Sequence, residues 1–392
     1  MGSRSIGSVT APETTRPILV VMIVPFLLIA LQQPVTPGGG PSFIQQAIGQ
    51  PTGRNGYEEY VAAAEIAESP AYQTYETYDA SKDVANRATQ LEAWHEQVRR
   101  FTPIADLVVQ GNGKPVYDPK PRLNSRSSIE LAGFPGVADY LARKAYVDLS
   151  NGDPQNAERA LEVGLQFVYN LDNGTSASGT AAAVSAERMF RAIKADLPKL
   201  GVRELDRLAD AVTQILGQAP SPINNLQAIR RADIAFAERA LRDPRSEGPV
   251  GARLANLSPT QRERTLRQFL ADEDSFLQSV IGAASLPESK WDNVQFEEAD
   301  PIASELARSS VAGNGEVLAN AAKLRTRLRI VRLLSRVYRY KWQYDQLPSS
   351  LAKAAKPAET LDPLTGNQFV YAAREESIEV SSESLPLIGP GH

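Results

Sequence analysis

The chain has 392 residues, 42% hydrophobic and 22% charged, the balance of a folded protein rather than a disordered one. It has no cysteine, which excludes disulfides, thiolate catalysis and cysteine-based zinc sites. A formal net charge of −4 supplies no basic excess of the kind that marks a nucleic-acid binder, so nucleic acid is not an expected partner.

Ile18 to Leu31 is an unbroken apolar run of fourteen residues containing Pro25. As a helix rising 1.5 Å per residue it covers about 21 Å, short of the ~30 Å hydrocarbon core. Uncharged Pro17 and Gln32 to Val35 extend it, because no charge returns until Arg54. Arg4 and Arg16 precede the run with Glu13 as the only acid, which favours a cytoplasmic N-terminus. A cleaved signal peptide has the same order, but "IALQQP" and "VTPGGG" offer no clean small-x-small site. A buried core helix is the third reading. Proline is tolerated in membrane helices, so the expectation is an uncleaved signal anchor. Residues 1–16 are then cytoplasmic, 17–35 span the bacterial cytoplasmic membrane, and the bulk lies outside it. Residues 36–53, opening on the end of "PVTPGGGP", read as a Pro/Gly linker. A phosphate cradle is not supported there, since no strand precedes the glycines and no Lys-Ser/Thr follows.

Residues 54–347 read as all-α. Asp153-Pro154, Ser221-Pro222, Ser258-Pro259 and Asp300-Pro301 each set a capping side chain before a proline, the N-cap and N1 pattern of a helix start. Ser258 and Gln261 have capping-box spacing. Leu266, Phe269, Leu270, Phe276, Leu277, Val280 and Ile281 recur at helical intervals, as do Leu205, Leu208, Val212, Ile215 and Leu216. Residues 137–171 form two amphipathic segments meeting at "SNGDP", with Ala142, Ala145, Ala157 and Ala160 where helices could approach. The segment looks like one tetratricopeptide-type hairpin. Without a second copy, an ordinary αα-hairpin in an irregular bundle is the simpler reading.

No catalytic motif is present: there is no His-Glu-x-x-His, Gly-x-Ser-x-Gly or Walker lysine. The chain has two histidines, and His95 in "LEAWHEQVRRF" has no marked nucleophile or metal partners. Paired carboxylates could hydrolyse glycans. Glu58-Glu59, Asp272-Glu273-Asp274 and Glu297-Glu298 with Asp300 are adjacent residues that splay about 100° apart on a helix, which favours solvated charge. An envelope hydrolase would need Glu58, Glu65 or Asp118 gathered in a deep cleft. No metal or cofactor is expected.

The most informative charged feature lies in residues 322–348, where Arg325, Arg329, Arg332, Arg336 and Arg339 fall in one stripe of a helix. Leu324, Leu328, Val331, Tyr338 and Trp342 occupy another face, and Ile330, Leu333, Val337 and Tyr340 a further one. The stripe is the candidate surface for a partner or an anion. The competing reading is that it pairs with the acidic runs.

Residues 348–392 change in character, with a short helix, a turn at "DPLTGN", and β-runs at Gln368–Ala372 and Ser377–Val380 that could pair as a small C-terminal hairpin. Leu347-Pro348, Leu351, Asp362-Pro363, Gly366 and Tyr371 make this segment similar to the C-terminal segment of type II secretion pseudopilins. The same tail closes a loose group of uncharacterised, N-terminally anchored helical bacterial proteins. The resemblance covers about fifty residues, and implies an exported setting and a small sheet against a long helix. Two departures matter. The apolar helix lacks the pilin-type glutamate, and no aspartates follow Tyr371, so neither pilus assembly nor a calcium site is implied. Taken together, the sequence predicts a non-enzymatic, single-pass protein that binds a protein partner or organises a complex at the bacterial envelope.

Overall fold

The computed structural model describes residues 42–48, 50–75, 84–116, 130–171, 176–218, 222–284, 286, 288, 290, 315–373 and 378–385. The expected anchor at 17–35 lies outside the described residues, as do Asp118, Ser221 and the run from Glu297 to Asp300. Among the described residues no helix is long and apolar enough to cross a membrane.

The packed body begins earlier than the expected linker allows. Phe43, Ile44, Ala47 and Ile48 share one face at helical spacing and form α1 (Phe43–Ile48), with Ala47 and Ile48 buried against α2 (Gly56–Ala67). This corrects the linker reading of residues 36–53, whose later part is structured. Asn55 caps α2, its Oδ1 accepting from Tyr57 N at 3.1 Å. Next come α3 (Pro70–Gln73), α4 (Val84–Arg100), α5 (Pro103–Asn112), α6 (Glu130–Ser150), α7 (Pro154–Leu171), α8 (Ser176–Asp196) and α9 (Val202–Gly217).

These helices lie in two rows. One row is α2, α6 and α8; the other is α5, α7 and α9, with α2 against α5 and α6 against α7 across the rows. Helix α4 lies over α6. The α6–α7 turn matches its sequence. Gly152 takes φ 74°, which favours glycine, and Asp153 Oδ1 accepts from Asn156 N at 3.0 Å. Ala142, Ala145, Ala157 and Ala160 are all buried, and Leu205, Leu208, Val212, Ile215 and Leu216 fill the inner face of α9.

Aromatic rings join the rows. Phe167 of α7 meets Tyr60 of α2 edge-on at 4.9 Å and Phe134 of α6 at 6.1 Å, while Tyr57 meets Phe134 at 5.7 Å. Beside them Tyr60 Oη donates to Asn112 Oδ1 at 2.5 Å and accepts from Asn170 Nδ2 at 2.8 Å, so one hydroxyl links α2, α5 and α7. Burial and the adjacent Glu59 charge push the Tyr60 phenol well up, against the Asn170 bond that favours ionisation.

The close approach of α2 and α6 depends on Gly133. A Cβ there would stand 2.6 Å from the Ala64 carbonyl oxygen and 2.7 Å from its Cβ. Gly133→Ala is therefore expected to push the helices apart and cost about 1–3 kcal/mol. Urea unfolding measures it; an unchanged midpoint would mean that the interface gives freely.

After α9 the chain forms a satellite of α10 (Pro222–Arg242), α11 (Gly248–Ala255) and α12 (Pro259–Ala284), with its own core of Phe236, Ala237, Ala240, Leu254, Leu266 and Phe269. The expected capping box is present: Ser258 N donates to Gln261 Oε1 at 3.1 Å and Gln261 N to Ser258 Oγ at 3.3 Å. Helix α13 (Gly315–Tyr344) runs along α9 and α8, and Phe276 and Val280 of α12 pack on its Leu318, Ala321 and Ala322.

The tail folds onto α13 through α14 (Leu351–Ala354) and an antiparallel pair, β1 (Val370–Ala373) and β2 (Ile378–Ser381), in register Val370 to Ser381. Strand β1 starts later than the sequence suggested, and Gln368 makes an isolated bridge to Leu361 instead. Leu351, Phe369, Ile378 and Val380 belong to the main core, so this segment shares the helices' interior. The residues that carry the pseudopilin resemblance have local roles. Buried Asp362 accepts from Leu364 N at 2.9 Å and Ser382 Oγ at 2.5 Å, Gly366 adopts φ 77°, and Tyr371 Oη donates to Pro348 O at 2.9 Å.

Candidate functional site

Helix α13 exists because Leu324, Leu328, Val331, Leu333, Leu334 and Val337 are buried along it, which fixes where its arginines point. Each arginine of the stripe faces a carboxylate that lies outside α13. Arg325 Nε donates to Glu288 at 2.6 Å, and Arg329 donates to both Glu288 oxygens at 2.7 and 3.1 Å. Arg332 lies 3.8 Å from Glu359. Arg336 reaches Asp206 and Asp210 of α9 at 2.8 Å each, and Arg339 Nε is 2.9 Å from Asp206.

The row is sunk, not displayed: side-chain exposures are 14% for Arg325, 18% for Arg329 and 11% for Arg332, rising to 35% at Arg339. The partners are isolated acids; of the acidic runs weighed in the sequence, the described members sit elsewhere. Asp272 accepts from Gln268 at 2.7 Å, Asp274 takes a two-pronged pair from Arg230 at 2.5 and 2.7 Å, and buried Glu273 is 3.8 Å from the same arginine. Helix α13 thus acts as a spine, with charge pairs stitching α9, the Glu288 segment and the C-terminal tail to it.

Electrostatics follow from burial. Burial alone would raise the Glu288 carboxyl, but the hydrogen bonds and charges of Arg329 and Arg325 outweigh it and hold the group below its ordinary value. Burial depresses the Arg332 guanidinium, which Glu359 only partly offsets. Because the folded-state value for Glu288 is lowered, its contribution is complete above the unfolded value of about 4.3 and disappears as pH falls through the folded value. The stability gap between wild type and Glu288→Gln is therefore expected to stay level from about pH 7 to 5 and close in stronger acid. Urea midpoints across that range measure it, and a gap that widens in acid would contradict the assignment. Asp148 and Glu158, raised chiefly by burial, act with the opposite sign, so the difference between the two proteins is the quantity to follow.

The carboxylates considered for hydrolysis are not gathered. Glu58 accepts from Thr52 N at 2.7 Å, Thr52 Oγ1 at 2.6 Å and Gly53 N at 2.6 Å, closing the turn before α2. Glu65 is exposed on the same helix. His95 is half-buried on α4 in an open groove with Glu92, Glu96 and Asp148, and Asp148 is bound by Lys144 at 2.8 Å. Among the described residues no group of three or more His, Asp or Glu is placed to hold a metal ion.

Two features carry no mark in the sequence. Beneath α4, Gln97 is fully buried with both amide atoms unpaired, one turn from Trp94, over whose ring Arg143 of α6 sits at 5.5 Å. The adjacent Asp139 is paired with Arg188 of α8. The second feature is a polar groove of about 490 Å³ between α7 and α9, lined by Gln155, Arg159, Glu162, Arg207, Asp210 and Gln214. Arg207 spans it, donating to Glu158 of α7 and Glu204 of α9, each at 3.0 Å. No protein-family model, curated protein or solved structure matches this chain.

Proposed function

We propose that this chain is a membrane-tethered helical scaffold at the bacterial envelope, held by the apolar run at 18–31, with its body outside the cytoplasmic membrane and bound to a protein partner. The observation that carries the reading is the two-row stack of helices with an open polar groove between α7 and α9. Stacked helical hairpins of the tetratricopeptide kind use such extended surfaces to hold other chains. The α6–α7 hairpin that the sequence marks is flanked in the stack by α2 and α5 on one side and by α8 and α9 on the other. The arginines of α13 are tied into internal ion pairs with Glu288, Asp206 and Asp210, which leaves the open groove as the better candidate for a partner. The resemblance of the tail to pseudopilins supports the exported setting.

A photo-crosslinking residue placed in the full-length protein at exposed Gln155 or Gln214 tests the groove in cells. One discrete adduct from both positions, absent from a probe at Arg267 on α12, is expected. Equal adduct patterns at all three positions, or none, would remove the partner-binding reading.

A further inference from the structure

Strand β2 pairs with β1 on one edge, and among the described residues it has no other strand partner. In an antiparallel pair alternate residues turn both backbone groups away from their neighbour. Two of the four β2 residues therefore present an N–H and a C=O outward. Such an edge is a template for another strand.

Beside β2 lies a cavity of about 50 Å³ between Phe190 and Ile193 of α8 and Ile330 and Leu334 of α13. At roughly 10–15 Å³ per water it has room for three to five waters, the scale of one aliphatic side chain. Arg327 of α13 also lines it, and its Nε is buried without a hydrogen-bond partner. The charges facing Arg327 are Glu187 of α8, already paired with Arg191, together with Lys194 and Glu379 in the cavity wall. A donor left unpaired in a partly apolar wall is costly, and a carboxylate would relieve it.

We infer that β2 and this cavity form a docking site for an extended segment of a partner protein. The segment adds as a third strand along β2, sets an apolar side chain between α8 and α13, and brings an acidic residue to Arg327. Backbone pairing supplies affinity and the cavity with its arginine supplies selection, as in other strand-addition modes. This deepens the partner-binding reading and rests on it.

The test presents the full-length protein to an array of octapeptides with apolar residues at alternate positions and Glu scanned through the rest. Peptides that bind are expected to weaken tenfold or more when alternate backbone nitrogens are methylated, a change that needs no protein variant. Arg327→Gln is expected to weaken Glu-containing peptides by a similar factor while leaving their Gln counterparts unchanged, with the variant's fold checked by circular dichroism. Two results would overturn the inference: no peptide discriminated from its methylated form, or decanoate filling the cavity while no peptide binds. Crosslinks at Gln155 and Gln214 that persist beside a silent array would sink this site and leave the scaffold reading standing.

Discussion

Glu288→Gln is expected to destabilise the protein by about 3 kcal/mol. Glu288 accepts from two guanidiniums at 2.6, 2.7 and 3.1 Å, and its own side chain is 10% exposed. The amide oxygen can still accept but carries no charge, and the amide NH2 replaces an acceptor with a donor, so Arg325 and Arg329 would be left as uncompensated cations at 14% and 18% exposure. Removing one member of a sunk pair costs more than the pair contributes, because the orphaned charge keeps its desolvation penalty. It follows that Glu288→Gln combined with Arg325→Met and Arg329→Met should recover most of the loss. Urea unfolding of the single and triple variants measures this. A single variant within about 0.5 kcal/mol of wild type would mean that the spine is screened like an ordinary surface pair.

Phe167→Ala carries the second large expectation, a loss of about 3–5 kcal/mol from cavity formation and lost edge contacts. Phe167 is fully buried where α2, α6 and α7 meet, against Tyr60 and Phe134. The damage should spread through both rows. Phe269→Ala offers the contrast: Phe269 is equally buried, but in the small separate core of the α10–α12 satellite, 6.2 Å from Phe236. Its loss should accelerate hydrogen exchange within residues 222–284 and leave α2, α6 and α7 protected. Exchange rising equally everywhere in both variants would contradict the division into a main stack and a satellite.

Local chemistry was legible in the sequence; distant pairing was not. The Ser258–Gln261 box and the Asp153 cap are written within four residues each, and both formed. The inner faces of α9 and α12 follow from spacing alone. By contrast, the contact of Gly133 with Ala64 joins residues far apart in the chain, and no period in the sequence marks it. The arginine stripe was readable as a stripe, but its partners were not. Asp206 and Asp210 sit four apart on the polar face of α9, and the message that they meet Arg336 lies in how α9 packs on α13. Trp342, assigned by spacing to an apolar face with Leu328 and Val331, is 57% exposed, because α13 carries its last two turns beyond the buried stretch that ends at Val337. Residues 43–48 show the reverse: uncharged composition read as linker, while a short apolar face within it was enough to dock.

The reading as a whole rests on an outward body held by one anchor. Protease shaving of intact and osmotically shocked cells expressing a C-terminally tagged chain tests it directly, with intact mass measured alongside. The account predicts that the tag is lost when the envelope is opened, from a chain whose mass retains residues 1–35. A tag protected in both preparations would place residues 36–392 in the cytoplasm and contradict it.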